Sequence, residues 1–293
     1  MAILLGAVAL TGSFVALKWR DSKSFFEPRL LLARFPVREA TVLSIDFAPL
    51  RYMGAVGSPI AMEPEYRAFV EATGFNFRTD LDSVVATISP KGNYFIARGR
   101  FHWDRLQAYA LKQGGSCYER LCRMQGSTPE RHISFVPLRD DAIAIGVSTD
   151  DLAATRLTKP GKAVETAIPE GPAWMIIPGS ALRSADSLPG GMRYLLSAMS
   201  SADHVVVRLT VSPAGIEARL EAPCKTAVDA GILVSQLKTA TALLKNAVLA
   251  DKQAAKDELA LTLTAGAFEQ NDKVALGRWP IKQGLLLSLL TGL

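Results

Sequence analysis

The chain has 293 residues, of which 49% are hydrophobic and 21% charged, a globular composition that excludes a disordered chain and a collagen-like repeat. Its net charge of +5 is unevenly distributed, because residues 18–38 carry six bases and two acids and residues 39–293 carry 27 bases and 26 acids. A nucleic-acid-binding protein needs positive charge on its folded body to neutralise phosphates. The nearly neutral body therefore argues against a nucleic-acid partner.

An uncharged apolar segment opens the chain at residues 2–17, AILLGAVALTGSFVAL. As a helix this segment would be about 24 Å long, near the lower limit for crossing a hydrocarbon core of about 30 Å. Lys18 and Trp19 extend the usable length, because their polar ends reach the headgroup region. The sequence therefore predicts a transmembrane anchor over residues 1–19. A secretory signal peptide and a buried core helix are the alternatives.

A basic connector follows at residues 20–40, and its apolar side chains predict a short amphipathic helix near the membrane or on the body. We expect Lys18, Arg20 and Lys23 to contact anionic lipid headgroups, at about 1 kcal/mol each. The positive-inside rule places these bases in the cytoplasm. A minimal N-terminus before a large β-containing body is, in contrast, typical of exported chains. We interpret the chain as a single-pass protein of a bacterial-type inner membrane with a periplasmic or otherwise exported body, its orientation left open.

The first half of the body, residues 41–157, predicts a strand, a helix, a hairpin, a second helix and a second hairpin. The first strand runs from Thr41 to a turn at Pro49, and Thr149 is predicted to cap a closing helix over residues 149–157. The intervening elements are predicted at residues 63–72 (helix), 83–101 (hairpin), 102–113 (helix) and 132–147 (hairpin).

Three prolines and two glycines make residues 158–172 a predicted linker, after which residues 173–293 repeat the order of the first half. The predicted elements are residues 173–183 (strand), 190–200 (helix), 204–222 (hairpin), 225–250 (helix), and 258–266 with 272–279 (hairpin). The sequence thus predicts an α+β fold of two similar halves, an internal duplication. The apolar tail, residues 284–293, is too short to span a bilayer and predicts a segment that packs on the body, or one that touches a membrane or partner.

Two cysteines, Cys117 and Cys122, lie four residues apart in a glycine-flanked segment. They form either a local disulfide in an oxidising compartment or two reduced thiols. A metal site lacks the second Cys or His pair that finger-type spacing requires. The third cysteine, Cys224, is interpreted as a small buried residue near a helix start.

Three charged residues are candidates for ligand binding: Asp46, Arg51 and Arg183. Asp46 lies among apolar neighbours in VLSIDF, where it would face solvent, cap the following turn or pair with an arginine such as Arg51. Arg51 and Arg183 each close a matched Leu-Arg strand end, which indicates an anion site or, in the interpretation we prefer, salt bridges. The three histidines have no partner motif and predict structural roles: His102, His132 and His204.

Motifs for catalysis, nucleotide binding and metal ligation are not found in the sequence, so no cofactor and no metal is predicted. The features together predict a membrane-anchored envelope protein with a non-enzymatic binding or scaffold body, which binds a protein partner or a ligand across a sheet face or between its halves. The alternative is a membrane-tethered, hydrolase-like enzyme with a site between the halves. A third interpretation is a membrane-complex subunit that docks through its apolar tail.

Overall fold

The computed structural model describes residues 26–52, 64–126, 128–161, 167–183, 198–212, 215–250, 258–282 and 285. Twelve strands in this part of the chain form one sheet. They are β1 (Thr41–Asp46), β2 (Leu81–Ser89), β3 (Gly92–Gly99), β4 (Ser116–Tyr118), β5 (Leu121–Gln125), β6 (His132–Arg139), β7 (Ala142–Ser148), β8 (Ala173–Pro178), β9 (His204–Ser212), β10 (Gly215–Pro223), β11 (Ala267–Asn271) and β12 (Val274–Ile281).

The strand order across the sheet is β11-β12-β10-β9-β8-β1-β2-β3-β7-β6-β5-β4. Every neighbouring pair is antiparallel. The strands of residues 41–148 lie on one side of the β1/β8 contact, and those of residues 173–281 lie on the other. The prediction of an α+β body built from antiparallel hairpins and helices is confirmed at this level.

Eight α-helices and one 3₁₀ helix accompany the sheet in the described residues. The α-helices are α1 (Pro28–Leu32), α2 (Phe47–Tyr52), α3 (Pro64–Thr73), α4 (Phe77–Asp80), α5 (Trp103–Lys112), α6 (Gly179–Arg183), α7 (Ala227–Ala250) and α8 (Glu258–Thr264). The 3₁₀ helix is Ala153–Leu157.

Helices pack on each of the two faces of the sheet. The helical face is the one on which α5 and α7 pack, and the N-terminal face is the one on which α1 packs. Adjacent residues of β8 define the two sides, because Ile177 contacts the core under α7 and Ile176 contacts the core under α1. Leu31 and Leu32 of α1 are almost fully buried, so the predicted amphipathic helix of the connector packs on the body.

Strand β7, AIAIGVS, has buried residues on both faces, since Ala142, Ile143 and Ala144 are each at most 5% exposed. Strands covered on both sides read as continuous apolar runs without alternation. At the opposite end of the sheet, apolar and polar side chains alternate along β9, β10 and β12. The apolar side chains lie under the helices of the helical face, and charged side chains line the N-terminal face.

Four local predictions are wrong. The strand predicted over residues 173–183 ends at Pro178, and Gly179–Arg183 form α6. The alternating leucines of residues 258–266 predict a strand, but residues 258–264 form α8, which packs on α7, and the hairpin lies at β11 and β12. Pro49 lies inside α2 and does not end the strand at a turn. Thr149 caps no helix, since the 3₁₀ helix begins at Ala153 and Asp150 accepts the Leu152 N–H.

The predicted anchor, residues 2–17, lies outside the described residues, as does the tail beyond Leu285. Within the described part of the chain, α7 is long and apolar enough by composition to cross a membrane. Of its apolar 18-residue stretch, 39% is buried inside the protein.

Candidate functional site

A groove of about 520 Å³ opens on the N-terminal face, where α1 and residues 169–172 meet the central strands. Its lining comes from both sides of the β1/β8 contact. The lining residues are Phe26, Pro28, Leu31, Ser44, Asp46, Ala48, Asp82, Ser83, Val85, Arg98, Pro169, Gly171, Pro172 and Trp174.

Strand register brings the polar side chains of the groove together. Ser44 and Asp46 alternate along β1 and therefore point to the same face. Ser83 of β2 lies directly opposite Asp46, and Trp174 of β8 lies directly opposite Ser44. The result is a polar row of Ser44, Ser83 and Asp46 beside the indole of Trp174.

A register shift in β2 between Leu81 and Ser83 accounts for a second carboxylate in the groove. Regular alternation would direct Asp82 to the face opposite Ser83, and a bulge re-aims a side chain in this way. Arg51 Nη2 lies 3.0 Å from Asp82 Oδ1, and Arg51 Nη1 donates to the carbonyl of Leu81. Arg51 therefore holds the side chain of Asp82, which lines the groove.

Asp46 caps the start of α2, because its Oδ1 accepts the Ala48 N–H at 3.0 Å. This contact is one of the three roles open to Asp46 from the sequence. The ion pair between Asp46 and Arg51 is not formed, since Arg51 engages Asp82. Within the described residues the second oxygen of the exposed Asp46 carboxylate accepts no hydrogen bond, so it faces the groove free to bind.

The other wall of the groove is apolar. Leu31 is 2% exposed and Trp174 is 5% exposed. The indole N–H of Trp174 has no acceptor in the part of the chain that the structure describes. Arg98 lies at the edge of this wall, with its guanidinium 4.7 Å from the ring centroid of Phe26 and its Nε 3.8 Å from Asp141. The groove thus combines an apolar wall with a polar row.

Arg183, the third candidate from the sequence, is not part of this lining. It ends α6, and its Nη1 donates to the carbonyl of Ser200 at 3.4 Å. The structure therefore brings Asp46 and, through Asp82, Arg51 to one site, and it does not bring Arg183 there.

A smaller cavity, about 260 Å³, lies on the N-terminal face over β9, β10 and β12. Arg208, Arg219 and Arg278 stand directly opposite one another on these three strands. Arg208 pairs with Glu221, and Arg219 pairs with Glu217 at 2.7 Å. With Glu269 also in the lining, the charges balance, so this cavity has no net attraction for an anion.

Histidine and metal chemistry find no support in the described residues. His102 precedes α5, while His132 and His204 begin β6 and β9, and none of the three lines either cavity. The described residues contain no group of three His, Cys, Asp or Glu side chains placed to hold a metal ion.

The segment that holds Cys117 and Cys122 is a two-stranded hairpin. Cys117 of β4 lies directly opposite Cys122 of β5, with the sulfur atoms 2.04 Å apart. Cys122 is fully buried in the core that contains Leu106 and Ala110 of α5. Cys224 is half-buried and free.

Sequence reasoning missed Trp174, Asp82 and the two serines. The alternation of Ser44 with Asp46 on β1 is the one signal that was available. The contribution of β8 and the bulge in β2 depend on long-range strand pairing, which the sequence pattern does not encode.

No protein-family model matches the chain, and no curated protein matches it in sequence. The fold is similar to that of TP0453. Crystal form I of TP0453 superposes with a TM-score of 0.52 at 10% identity, covering 89% of this chain and 97% of that chain. Crystal form III gives a TM-score of 0.50 at 8% identity, with coverage of 89% and 98%. At these identities the likeness shows a shared fold and nothing about activity.

Proposed function

We propose that this chain is a membrane-anchored envelope protein whose body is a non-enzymatic binding module with two similar halves. The groove lined by Asp46 and Trp174 is the proposed binding site. The observation that carries the proposal is the groove itself, a cavity of about 520 Å³ with an apolar wall and a short polar row. Ligand sites are commonly of this volume and character.

The strand order supports the proposal of two halves. Reading outward from β1, the neighbours are β2, β3, β7 and β6, and reading outward from β8 they are β9, β10, β12 and β11. Each side thus has a first strand, then a hairpin, and then a hairpin whose second strand lies next to the first hairpin. Under this proposal β4 and β5 are an addition to the first half, and residues 158–172 are the linker.

The groove chemistry favours a ligand or a partner segment with an apolar part and a hydrogen-bonding or cationic part. The apolar part would contact Phe26 and the small exposed parts of Leu31 and Trp174. The other part would meet the free oxygen of Asp46 and the hydroxyls of Ser44 and Ser83. Carboxylate acceptors strengthen hydrogen bonds from charged donors, so an ammonium or guanidinium group is the best match.

The proposed anchor places the groove near the membrane. The wall formed by Phe26 and α1 follows residues 18–25, which span at most about 27 Å when fully extended. In this proposal residues 2–17 insert into the bilayer and Lys18, Arg20 and Lys23 contact anionic headgroups. We place the body on the exported side of the membrane, where a disulfide between Cys117 and Cys122 would persist.

A hydrolase-like enzyme is the second candidate, because two carboxylates, Asp46 and Asp82, line one groove. Paired carboxylates can divide the work of general acid and base. Both groups already serve structural contacts, however, with Ala48 and with Arg51. Binding is therefore the better-supported function.

A photo-crosslinking experiment on the full-length chain in native membranes tests the binding site. A benzophenone amino acid at position 44 should give a UV-dependent adduct, because Ser44 lies in the groove. The matched control carries the benzophenone amino acid at position 210. Thr210 lies on β9 and on the same face of the sheet as Ser44, but it does not line the groove. Equal adducts at both positions, or none at position 44, would refute the proposed site.

A further inference from the structure

The groove holds a row of three polar side chains with opposite charges at its two ends. Asp46 of β1 lies directly opposite Ser83 of β2, and Ser83 lies directly opposite Arg98 of β3. All three side chains line the groove. Since neighbouring strands lie about 4.8 Å apart, the Cα atoms of Asp46 and Arg98 are separated by about 10 Å. A carboxylate and a guanidinium thus stand at opposite ends of one row, with a hydroxyl between them.

Both charged ends of this row have unused hydrogen-bonding capacity. Arg98 Nε is 3.8 Å from Asp141, which is beyond hydrogen-bond distance, and Asp141 is also 3.5 Å from Arg139. The guanidinium of Arg98 packs on the ring of Phe26 and donates no hydrogen bond within the described residues. One oxygen of Asp46 accepts the Ala48 N–H, which leaves the other oxygen for a ligand. The row therefore offers one end to a cation and the other end to an anion.

A mainly apolar strip runs alongside the row and does not continue it at either end. Trp174, Ser44 and Val85 lie directly opposite one another on β8, β1 and β2, two residues along the strands from the polar row. Phe26 lines the groove as well. An apolar group that fits this strip has to branch from the ligand between its two charged groups. A phospholipid does not have this layout, because its apolar chains leave from one side of both headgroup charges.

We propose that the groove binds a short zwitterionic peptide, with the ammonium group on Asp46, the carboxylate on Arg98 and an apolar side chain on the strip. This inference rests on the proposed binding site and specifies its ligand. An extended peptide of two or three residues spans about 7 to 10 Å, which matches the separation of Asp46 and Arg98. A guanidinium binds a carboxylate through two parallel hydrogen bonds, and a carboxylate strengthens the hydrogen bond from an ammonium group. Ser83 would bind the peptide backbone between the two ends.

Isothermal titration calorimetry of the full-length chain in detergent tests the ligand class, with the dipeptide Leu-Leu as the probe. N-acetyl-Leu-Leu lacks the ammonium group, and Leu-Leu amide lacks the carboxylate. Free Leu-Leu should bind at least about tenfold more tightly than either blocked form, because each blocked form leaves one charged group of the groove without its partner.

Each charged end of the row has its own variant. Asp46→Asn keeps an oxygen that can accept the Ala48 N–H, so the start of α2 stays capped. This variant should bind free and N-acetylated Leu-Leu equally and still prefer the free dipeptide over its amide. Arg98→Gln should show the reverse pattern. Arg278→Gln is the matched control and should keep both preferences, since Arg278 is exposed on the same face of the sheet and does not line the groove.

Three results would overturn the inference. The first is a wild type that binds free Leu-Leu no more tightly than the blocked forms. The second is an equal loss of affinity for all three dipeptides in Asp46→Asn and in Arg98→Gln. The third is tighter binding of glycerophosphoethanolamine than of Leu-Leu, which would assign the row to a lipid headgroup. A UV-dependent adduct at position 44 alongside any of these results would leave the binding site in place and remove only the peptide.

Discussion

Asp80 shows how one side chain joins three segments of this fold. Its Oδ1 accepts from Arg100 Nη2 at 2.7 Å, and its Oδ2 accepts the Asn76 N–H at 2.8 Å. Its carbonyl oxygen accepts the Arg100 N–H, and Gly99 leaves no room there for a Cβ, which would lie 2.2 Å from that oxygen. The start of β2 and the end of β3 are thereby held together.

The pH dependence of stability tests this network. Burial by itself would raise the pKa of Asp80, but the hydrogen bonds from Asn76 and Arg100 outweigh it and hold the pKa below its ordinary value. Since the folded-state pKa is depressed, the stabilisation is present above about pH 4 and is lost as the pH falls through the folded-state pKa. Asp80→Asn should lower the unfolding free energy at pH 7 by roughly 1–2 kcal/mol and weaken this acid dependence.

Urea unfolding at pH 7 and in acid provides the measurement. Asp140→Asn is the control, because Asp140 is exposed in the β6–β7 turn and forms no hydrogen bond or ion pair within the described residues. A loss of stability of the same size in both variants would show that the network has no special role.

At the same scale, the sequence predicts the site in part. Asp46 is a candidate because an acid inside an apolar run needs a reason, and its cap on α2 supplies one. Asp82 is not predicted from the sequence, because the β-bulge that directs its side chain to the groove leaves no mark in the sequence pattern. Trp174 is not predicted either, because its neighbours on β1 lie about 130 residues away in the chain, so only the fold brings them together.

At the scale of elements, the β4–β5 hairpin is pinned to α5 by its cysteines. Cys122 is buried in the α5 core, and Glu119 in the turn has a φ of 51°, the left-handed region that tight hairpin turns use. Because the strands are only three and five residues long, their hydrogen bonds alone hold the hairpin weakly.

The double substitution Cys117→Ala with Cys122→Ala should therefore lower the unfolding free energy by about 2 kcal/mol, the chain-entropy value for so short a ring. Chemical denaturation of the oxidised protein and of the variant measures the difference. A reductant should destabilise the wild type by a similar amount and leave the variant unchanged. If the reductant affects neither protein, the two cysteines are not bridged in the native chain.

Hairpins are the elements that the sequence predicts best, since the two predicted around a Ser-Pro pair are found as β2–β3 and β9–β10. The strand predicted over residues 258–266 fails for an identifiable reason. Its leucines alternate at Leu259, Leu261 and Leu263, but Trp279 Nε1 donates to the Leu263 carbonyl and α7 packs alongside, which favours a helix. Tertiary packing here overrides local alternation.

For the whole molecule, deletion of residues 2–17 tests the anchor. The full-length chain should stay in the membrane pellet after carbonate extraction, and the deleted chain should move to the soluble fraction, because residues 2–17 are the segment for which the sequence predicts a span. A C-terminal alkaline phosphatase fusion should be active if the body is exported. A silent phosphatase fusion together with a fluorescent cytoplasmic one would reverse the orientation.

The α+β class follows from local patterns, but the single sheet does not. Local patterns indicate each hairpin, whereas the pairing of β1 with β8 joins Val42–Ile45 to Ala173–Ile176, which lie far apart in the chain. Such pairings have a high entropic cost and leave no local mark in the sequence.

The β1/β8 contact has a consequence for the way the chain is made. Until β8 emerges from the ribosome, β1, TVLSID, has β2 on one side and an unpaired edge on the other. Unpaired apolar edges are the sites at which nascent chains aggregate. The edge of β1 that pairs with β8 is therefore exposed in the nascent chain over the whole interval between the synthesis of β1 and that of β8.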